Sequence, residues 1–333
     1  MRILSLFWHN VVPDVDNQDH FKKSEPTISI FREQIRFIVN KYKPISIADF
    51  MEIIEGKCLI NSYSKPPVLL GFDDGYMNII KYALPILNEF NAPAVFFVNG
   101  KVLKDSEFVP WQIEFRHLIT QTGEKVVEFK KERIDIDSKR GYQLMHILFK
   151  SSFKACKTED ERQSLLSKLA DILNLERPKA ADLVEDLRLA TKEDLTKIET
   201  NSLLTLASHA MTHNNLANLS FEEQTYELEQ SDLLLRENCP SYYPAISYPD
   251  GSFNSDTIII AKCIYKCAFA VLEGSSYHNL YAYPRLGLQK EKSKELVYIT
   301  SYRRLKYYRP LKAFLKKIDP ISLITVYKLK GTS

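Results

Sequence analysis

A series of short, almost wholly apolar runs constrains this chain most, because each run leads into polar residues that no core would retain. Residues 3–8, 68–72, 94–98, 203–207, 244–248 and 267–272 are such runs. Their length suits a strand, and apolar character without alternation marks a strand covered on both faces. Helical patterns lie between them. Residues 30–42 place Ile30, Phe31, Ile35, Ile38 and Val39 on one face, and residues 77–90 form a second helical stretch with Pro85 inside it. Residues 191–199 and 255–265 also read as helices, and Ser220 with Glu223 has the spacing of a capping box. A short strand at 45–47 follows Pro44, and a polar connection through Pro66 and Pro67 leads to the strand at 68–72. Alternating strands and helices predict a parallel α/β sheet, open or closed into a barrel, with ligands gathering at the C-terminal strand ends.

The rhythm breaks between about 105 and 190. That region is rich in Lys, Glu and Leu with helical periodicity, clearest at 144–153 and 162–175, and reads as a helical insertion. We therefore expect a main domain over 1–300 and a basic tail over 301–333. From Tyr302 onward there are nine Lys/Arg and one acid, a net +8 that leaves −5 for the rest of a chain whose total is +3. So small a total does not call for a nucleic-acid partner. The stretch 302–317 interleaves basic and aromatic residues. It reads either as a solvated helix or as a peripheral contact with anionic lipid, worth about 1 kcal/mol per basic residue. Five scattered cysteines, with only Cys263 and Cys267 close together, read as free thiols of a reducing compartment. The first apolar run is too short for a signal peptide, and no stretch reaches spanning length. The expected location is cytoplasmic, with the tail allowing contact with the inner membrane.

The chemistry converges on the strand ends. His9 follows the first run, Asp73 and Asp74 the third strand, His209 and His213 the run at 203–207, and Tyr248, Pro249 and Asp250 end the run at 244–248. In a parallel sheet these groups share one edge. His209 and His213 lie four apart, which brings two imidazoles together on a helix face or in a tight loop. Such spacing also arises by chance, and an Asp-Asp-Gly also suits a helix N-terminus. Together, two histidines and one aspartate form a three-ligand metal set that leaves a coordination position for water.

The segments LLGFDDGY, SHAMTHNNL and ISYPDGSFN, in that order, resemble the three leading motifs of the polysaccharide deacetylase family, carbohydrate esterase family 4. The opening SLFWHNVVPD is similar to the first strand of many members. The likeness covers about 1–100 and 190–290. It implies a distorted (β/α) barrel of about seven strands and a divalent metal, usually zinc, held by Asp74, His209 and His213. Asp73 is implied as catalytic base. A metal polarises the amide carbonyl and acidifies water, and a carboxylate that is not a ligand can take the proton. A backbone amide near 248–251 is expected to assist the oxyanion.

The chain also departs from the family. Many members carry an Arg two residues before the Pro of the third motif and an aromatic after it; here those places hold Ser247 and Asp250. Pro284-Arg285-Leu286 resembles the Pro-Arg motif of the branch lacking that Arg, which implies that Arg285 orients Asp73. The late motif that supplies the general acid is missing, so His9, at a strand end, and His278, in a Gly-Ser-rich loop, are the candidate acids. Trp111 and Tyr248 could stack on a sugar or simply pack. The reading is a metal-dependent deacetylase acting on an N-acetylated glycan or a lipid-linked sugar of a bacterial surface polysaccharide. The alternatives are a same-fold hydrolase of a small non-sugar amide and a degenerate metal- and glycan-binding domain.

Overall fold

The computed structural model describes residues 3–14, 25–199, 202–271, 279–290 and 296. His278, the tail and its boundary at 300 lie outside these residues. β1 (Leu4–Trp8) leads to α1 (Ile28–Lys41), which starts where the Thr27 hydroxyl accepts from the Ile30 amide and buries Phe31, Ile35 and Ile38. β2 (Lys43–Ile45) stops before Ser46, because Ser46 and Asp49 form a capping box that opens α2 (Ile47–Ile54). That corrects the strand expected over 45–47 and adds a helix where a polar connection was expected. Its Ile47, Phe50, Met51 and Ile53 have helical spacing and are buried.

β3 (Pro67–Phe72) is followed by a π turn over Ile79–Ala83 and then α3 (Leu84–Glu89). Pro85 sits in the first turn of α3, where its missing N–H is best tolerated, so the expected single helix is split. β4 (Ala94–Val98) ends the first half of the barrel. The segment expected to be a helical insertion holds α4 (Trp111–Gln121), α5 (Lys139–Ala155) and α6 (Glu159–Ile172), but also a hairpin of β5 (Val126–Phe129) and β6 (Glu132–Asp135). Its turn uses Lys130 and Lys131 at φ 51° and 64°, so no Gly or Asn announces it. Trp111, Phe115, Val127, Phe129, Phe149 and Leu169 give the insertion its own core.

The alternation resumes with α7 (Lys192–Thr196), β7 (Leu204–Ser208), α8 (Phe221–Asn238), β8 (Tyr242–Ser247), α9 (Ser255–Ile264) and β9 (Cys267–Ala270). The Ser220–Glu223 capping box opens α8 as expected. All pairings in the main sheet are parallel, in the order β9-β8-β7-β4-β3-β1. β2 pairs with the first half of β3 and β4 with its second half, so the sheet splays there. A single five-residue segment then joins the two free edges. β10 (Tyr283–Pro284) pairs with β9 and β11 (Leu286–Gly287) pairs with β1, leaving Arg285 at the seam. Seven positions around a nearly closed ring make the distorted (β/α) barrel that was expected.

Side chains alternate across this wall, as strand geometry requires. Leu69, Val95 and Phe97 join Ala207, Ala245 and Phe269 in one cluster, whereas Leu70, Phe96 and Val98 join the helices in another. None of the described helices is long and apolar enough to cross a membrane. All five cysteines are free.

Candidate active site

β3 carries the first two functional residues, and its end separates them. The Asp73 amide donates to Trp8 O at 2.9 Å, so Asp73 still continues the ladder with β1. Asp74 then takes φ 72° and Gly75 φ 76°, turning the chain out of the strand. The exit from the insertion pins this turn: Met77 N donates to Arg188 O at 2.8 Å and Ala190 N to Gly75 O at 2.9 Å. The two adjacent carboxylates consequently face different partners.

Asp74 faces the histidines. Its Oδ1 lies 3.3 Å from His209 Nε2 and 3.1 Å from His213 Nε2, and all three side chains are buried. The histidines sit on a loop rather than a helix, with Ala210 and His213 at φ 60° and 64°. The edge of β4 holds that loop: His209 N donates to Val98 O at 2.8 Å, and Asn99 Nδ2 to His209 O at 2.7 Å. Glu227 of α8 accepts from the amides of Met211 at 2.9 Å and Thr212 at 2.8 Å. Burial pushes the Asp74 pKa up, but hydrogen bonds from His209 and His213 outweigh it and hold the group well below the usual carboxylate range.

The donor set fits a divalent cation. His209 Nδ1 lies 2.8 Å from the Ser247 carbonyl, which can only accept, so the neutral ring carries its proton there. Nε2 of that neutral ring has a lone pair facing the Asp74 carboxylate, so the contact is favourable only with a positive charge there, either a second ring proton, which makes the hydrogen bond to Asp74, or a cation. Burial pushes the His209 pKa down, but Asp73 and then Asp74 outweigh it, so the pocket draws positive charge towards this ring. His213 Nδ1 is buried without a hydrogen-bond partner among the described residues. One carboxylate and two imidazoles with Nε2 turned inward suit zinc chemistry.

Asp73 faces away from this set, towards Arg285. Arg285 Nη1 donates to Oδ1 at 2.8 Å and Nη2 to Oδ2 at 2.7 Å, a two-toothed pair between buried groups. Ser247 Oγ donates to Oδ2 at 3.3 Å, and Arg285 also reaches Ser247. The guanidinium lies 4.2 Å over the Phe7 ring. Burial raises the Asp73 pKa, but the Arg285 and His209 charges outweigh it and lower the pKa overall.

The sequence profile described as polysaccharide deacetylase matches residues 61–266, more than half of the chain. The chain belongs to the polysaccharide deacetylase family. Among curated relatives, the poly-beta-1,6-N-acetyl-D-glucosamine N-deacetylase of Escherichia coli K12 is 33% identical over 98 residues, which span 29% of this chain and 14% of that protein. Similar solved structures include the Streptococcus pyogenes deacetylase PplD in complex with acetate, at 16% identity and TM-score 0.55 over 90% of this chain and 99% of that one. A de-N-acetylase from Aggregatibacter actinomycetemcomitans follows at 14% identity and TM-score 0.53, covering 89% of this chain and 99% of that one. At these identities the structures show the shared fold.

The deacetylase motifs place the remaining residues less uniformly. His9 is half-buried at the end of β1, edge-on to Phe7, and near enough for its charge to be felt at Asp73 and Asp74. Tyr248 is 1% exposed, stacked on Phe253, with its hydroxyl on Tyr281 O at 2.9 Å. Trp111 is stacked on Phe153 at 4.6 Å and donates to His213 O at 3.2 Å, so it reaches the site by supporting a histidine. Pro249 is buried. Asp250, at φ 55°, pairs with Lys150 and, at 3.6 Å, with Lys154. The Tyr248 amide donates to Phe269 O at 3.0 Å and the Gly251 amide to Tyr248 O at 2.9 Å, so both of these amides of the expected oxyanion segment are already engaged in the loop.

Sequence reasoning missed a neighbouring group. Arg116 of α4 donates to the Tyr76 hydroxyl at 2.6 Å and lies 3.9 Å from Glu25. Burial raises the Glu25 pKa against Arg116 and His9. The Tyr directly after Asp-Asp-Gly was the available signal for this group.

Proposed function

We propose that the protein is a metal-dependent hydrolase that removes an N-acetyl group from a sugar of a bacterial surface polysaccharide or its glycolipid precursor. The observation that carries this is the division of labour at the end of β3, with Asp74 among two imidazoles and Asp73 free of them but clamped by Arg285. Family membership and the name of the E. coli relative, an N-acetyl-D-glucosamine N-deacetylase, support an N-acetylated sugar as substrate.

Asp74, His209 and His213 would hold the cation, most plainly zinc. When bound, such a cation polarises a carbonyl and acidifies water at neutral pH. Asp73 takes the proton of the attacking water, since Arg285 keeps it ionised and fixes both of its oxygens. Arg285 and Ser247 prevent the carboxylate from rotating toward the imidazoles. His9, at the end of the neighbouring strand, is the donor for the leaving amine. The basic stretch 302–317 would bring a cytoplasmic enzyme to anionic lipid and so to a lipid-linked substrate; co-sedimentation with anionic but not neutral vesicles is the check.

The test combines metal analysis with acetate release from N-acetylglucosamine oligosaccharides and lipid-linked N-acetylated sugars. Asp74→Asn and His213→Ala should each lose zinc, whereas Asp73→Asn should keep it and lose turnover. Stoichiometric zinc in both ligand variants, or near-normal turnover by Asp73→Asn, would overturn the assignment.

A further inference from the structure

We propose that α4 of the insertion is a clamp on the metal-ligand set, with Arg116 as its central positioning residue. The inference rests on Asp74, His209 and His213 being the ligands, and it names what holds two of them at their spacing. Trp111, in the first turn of α4, donates through Nε1 to His213 O at 3.2 Å. Further along the same helix, Arg116 donates to the Tyr76 hydroxyl at 2.6 Å, two residues past Asp74. One helix thus grips the loop after β3 and the loop after β7, on either side of the 3.1 Å contact between Asp74 and His213. A helix is a poor spring, so the five-residue rise of about 7.5 Å between its two grips is a fixed spacer.

Arg116 reaches a third strand end through Glu25. Its guanidinium lies 3.9 Å from the Glu25 carboxylate, which accepts from the Asn10 amide directly after His9. The end of β1, with the donor for the leaving amine, and the turn that carries Asp74 therefore share one guanidinium. That guanidinium lies close enough to the ligand set to feel the Asp74 charge.

Both gripped loops need such a hold. Asp74 at φ 72° and His213 at φ 64° are in the left-handed region, which a residue with a side chain keeps only where its surroundings enforce it. Tyr76 is fully buried, so its hydroxyl requires a partner, and Arg116 supplies one. Trp111 is itself fixed, stacked on Phe153 within the core of the insertion. Glu114, also on α4, pairs instead with Arg177 inside the insertion, at 2.6 and 3.0 Å. That pair separates the stability of α4 from its grip on the strand ends.

The experiment measures zinc affinity of the full chain by competition with a chelator, beside kcat and KM for acetate release from N-acetylglucosamine oligosaccharides and stability in denaturant. Tyr76→Phe and Trp111→Phe each keep a ring and remove one hydrogen bond. Each should lower zinc affinity about ten-fold, and kcat more than KM. Arg116→Met should lower affinity at least as far, and adding Tyr76→Phe to it should change little, because the two residues act through one contact. Arg116→Lys, which can still donate to the hydroxyl, should recover most of the loss. Arg177→Gln should lower stability and leave zinc affinity unchanged. Unchanged affinity in both Phe variants would overturn the clamp, as would an equal loss of affinity in Arg177→Gln, which would make the effect one of general stability. A rise in KM alone would also overturn it, by making Arg116 a substrate contact. A wild type that binds no zinc would overturn the ligand assignment, and this inference with it. Zinc affinity of the Phe variants decides the matter even if Arg116→Met fails to fold. It does so too if no acetate is released, in which case the deacetylase reading falls alone.

Discussion

Arg285 and Asp73 form a buried, two-toothed ion pair. Arg285 is 4% exposed and Asp73 3%, and the guanidinium is walled by Phe7 and Phe97. Removing one member of such a pair strands the other, at a cost of about 3–5 kcal/mol. Arg285→Met should therefore destabilise the protein by about that amount in denaturant titrations and lose turnover. Arg285→Lys should keep the fold but lose the two-toothed geometry, lowering kcat by about ten- to a hundred-fold with zinc content unchanged. Loss of zinc in the Lys variant would mean that Arg285 serves the metal site rather than Asp73. Asp73, Asp74, His209 and His213 were visible in the sequence because each set lies within a few residues. Arg285 is 212 residues from Asp73, and only the family resemblance pointed to it. Ser247 looked like a gap where many relatives carry Arg. In the structure its small side chain leaves room for a guanidinium arriving from the barrel seam, and it bonds to both members of the pair.

Secondary-structure elements fix the site by supporting its loops. α8 does so through Glu227, whose carboxylate accepts the Met211 and Thr212 amides and the Thr212 hydroxyl between the two histidines. Glu227→Ala would leave two amides buried without acceptors and loosen the loop. Zinc affinity, measured by competition with a chelator, should fall about 10- to 100-fold, the usual effect of removing a support behind a ligand. Glu227→Gln keeps an acceptor oxygen and should lie between the two. Unchanged affinity in the Ala variant would show that the β4 contacts alone hold the loop. In the sequence, Glu227 was one more polar residue on an amphipathic helix, while Ser220 and Glu223 were readable because capping is local. The same contrast explains α2 and the hairpin. Apolar spacing in α2 was short and followed a proline, and the turn at Lys130 and Lys131 carried no turn residue.

At the scale of the whole molecule, the insertion has its own core and is tied to the barrel by a series of polar contacts, among them Trp111 to His213, Arg116 to Tyr76, Arg162 to Glu223 and Lys150 to Asp250. The limits expected near 105 and 190 came from the strand rhythm stopping and resuming there. Where the insertion docks was not legible, because Lys150 meets Asp250 across 100 residues and neither has a signature. The Asp250 carboxylate is 15% exposed. Burial pushes its pKa up, but Lys150, His213 and Lys154 more than offset this and bring it to about 2. An aspartate in an unfolded chain titrates near 3.9, so folding lowers this pKa. The resulting stability is present in full above about pH 4 and disappears as pH falls through about 2. Both lysines are about a third exposed, so solvent screening limits the contribution to about 1 kcal/mol. Asp250→Asn should thus lower unfolding stability by about 1 kcal/mol at pH 7. In paired denaturant titrations the gap from wild type should narrow steadily below pH 4. A gap that stays constant between pH 7 and pH 3 would show that Asp250 ties insertion to barrel by shape or hydrogen bonding rather than by charge.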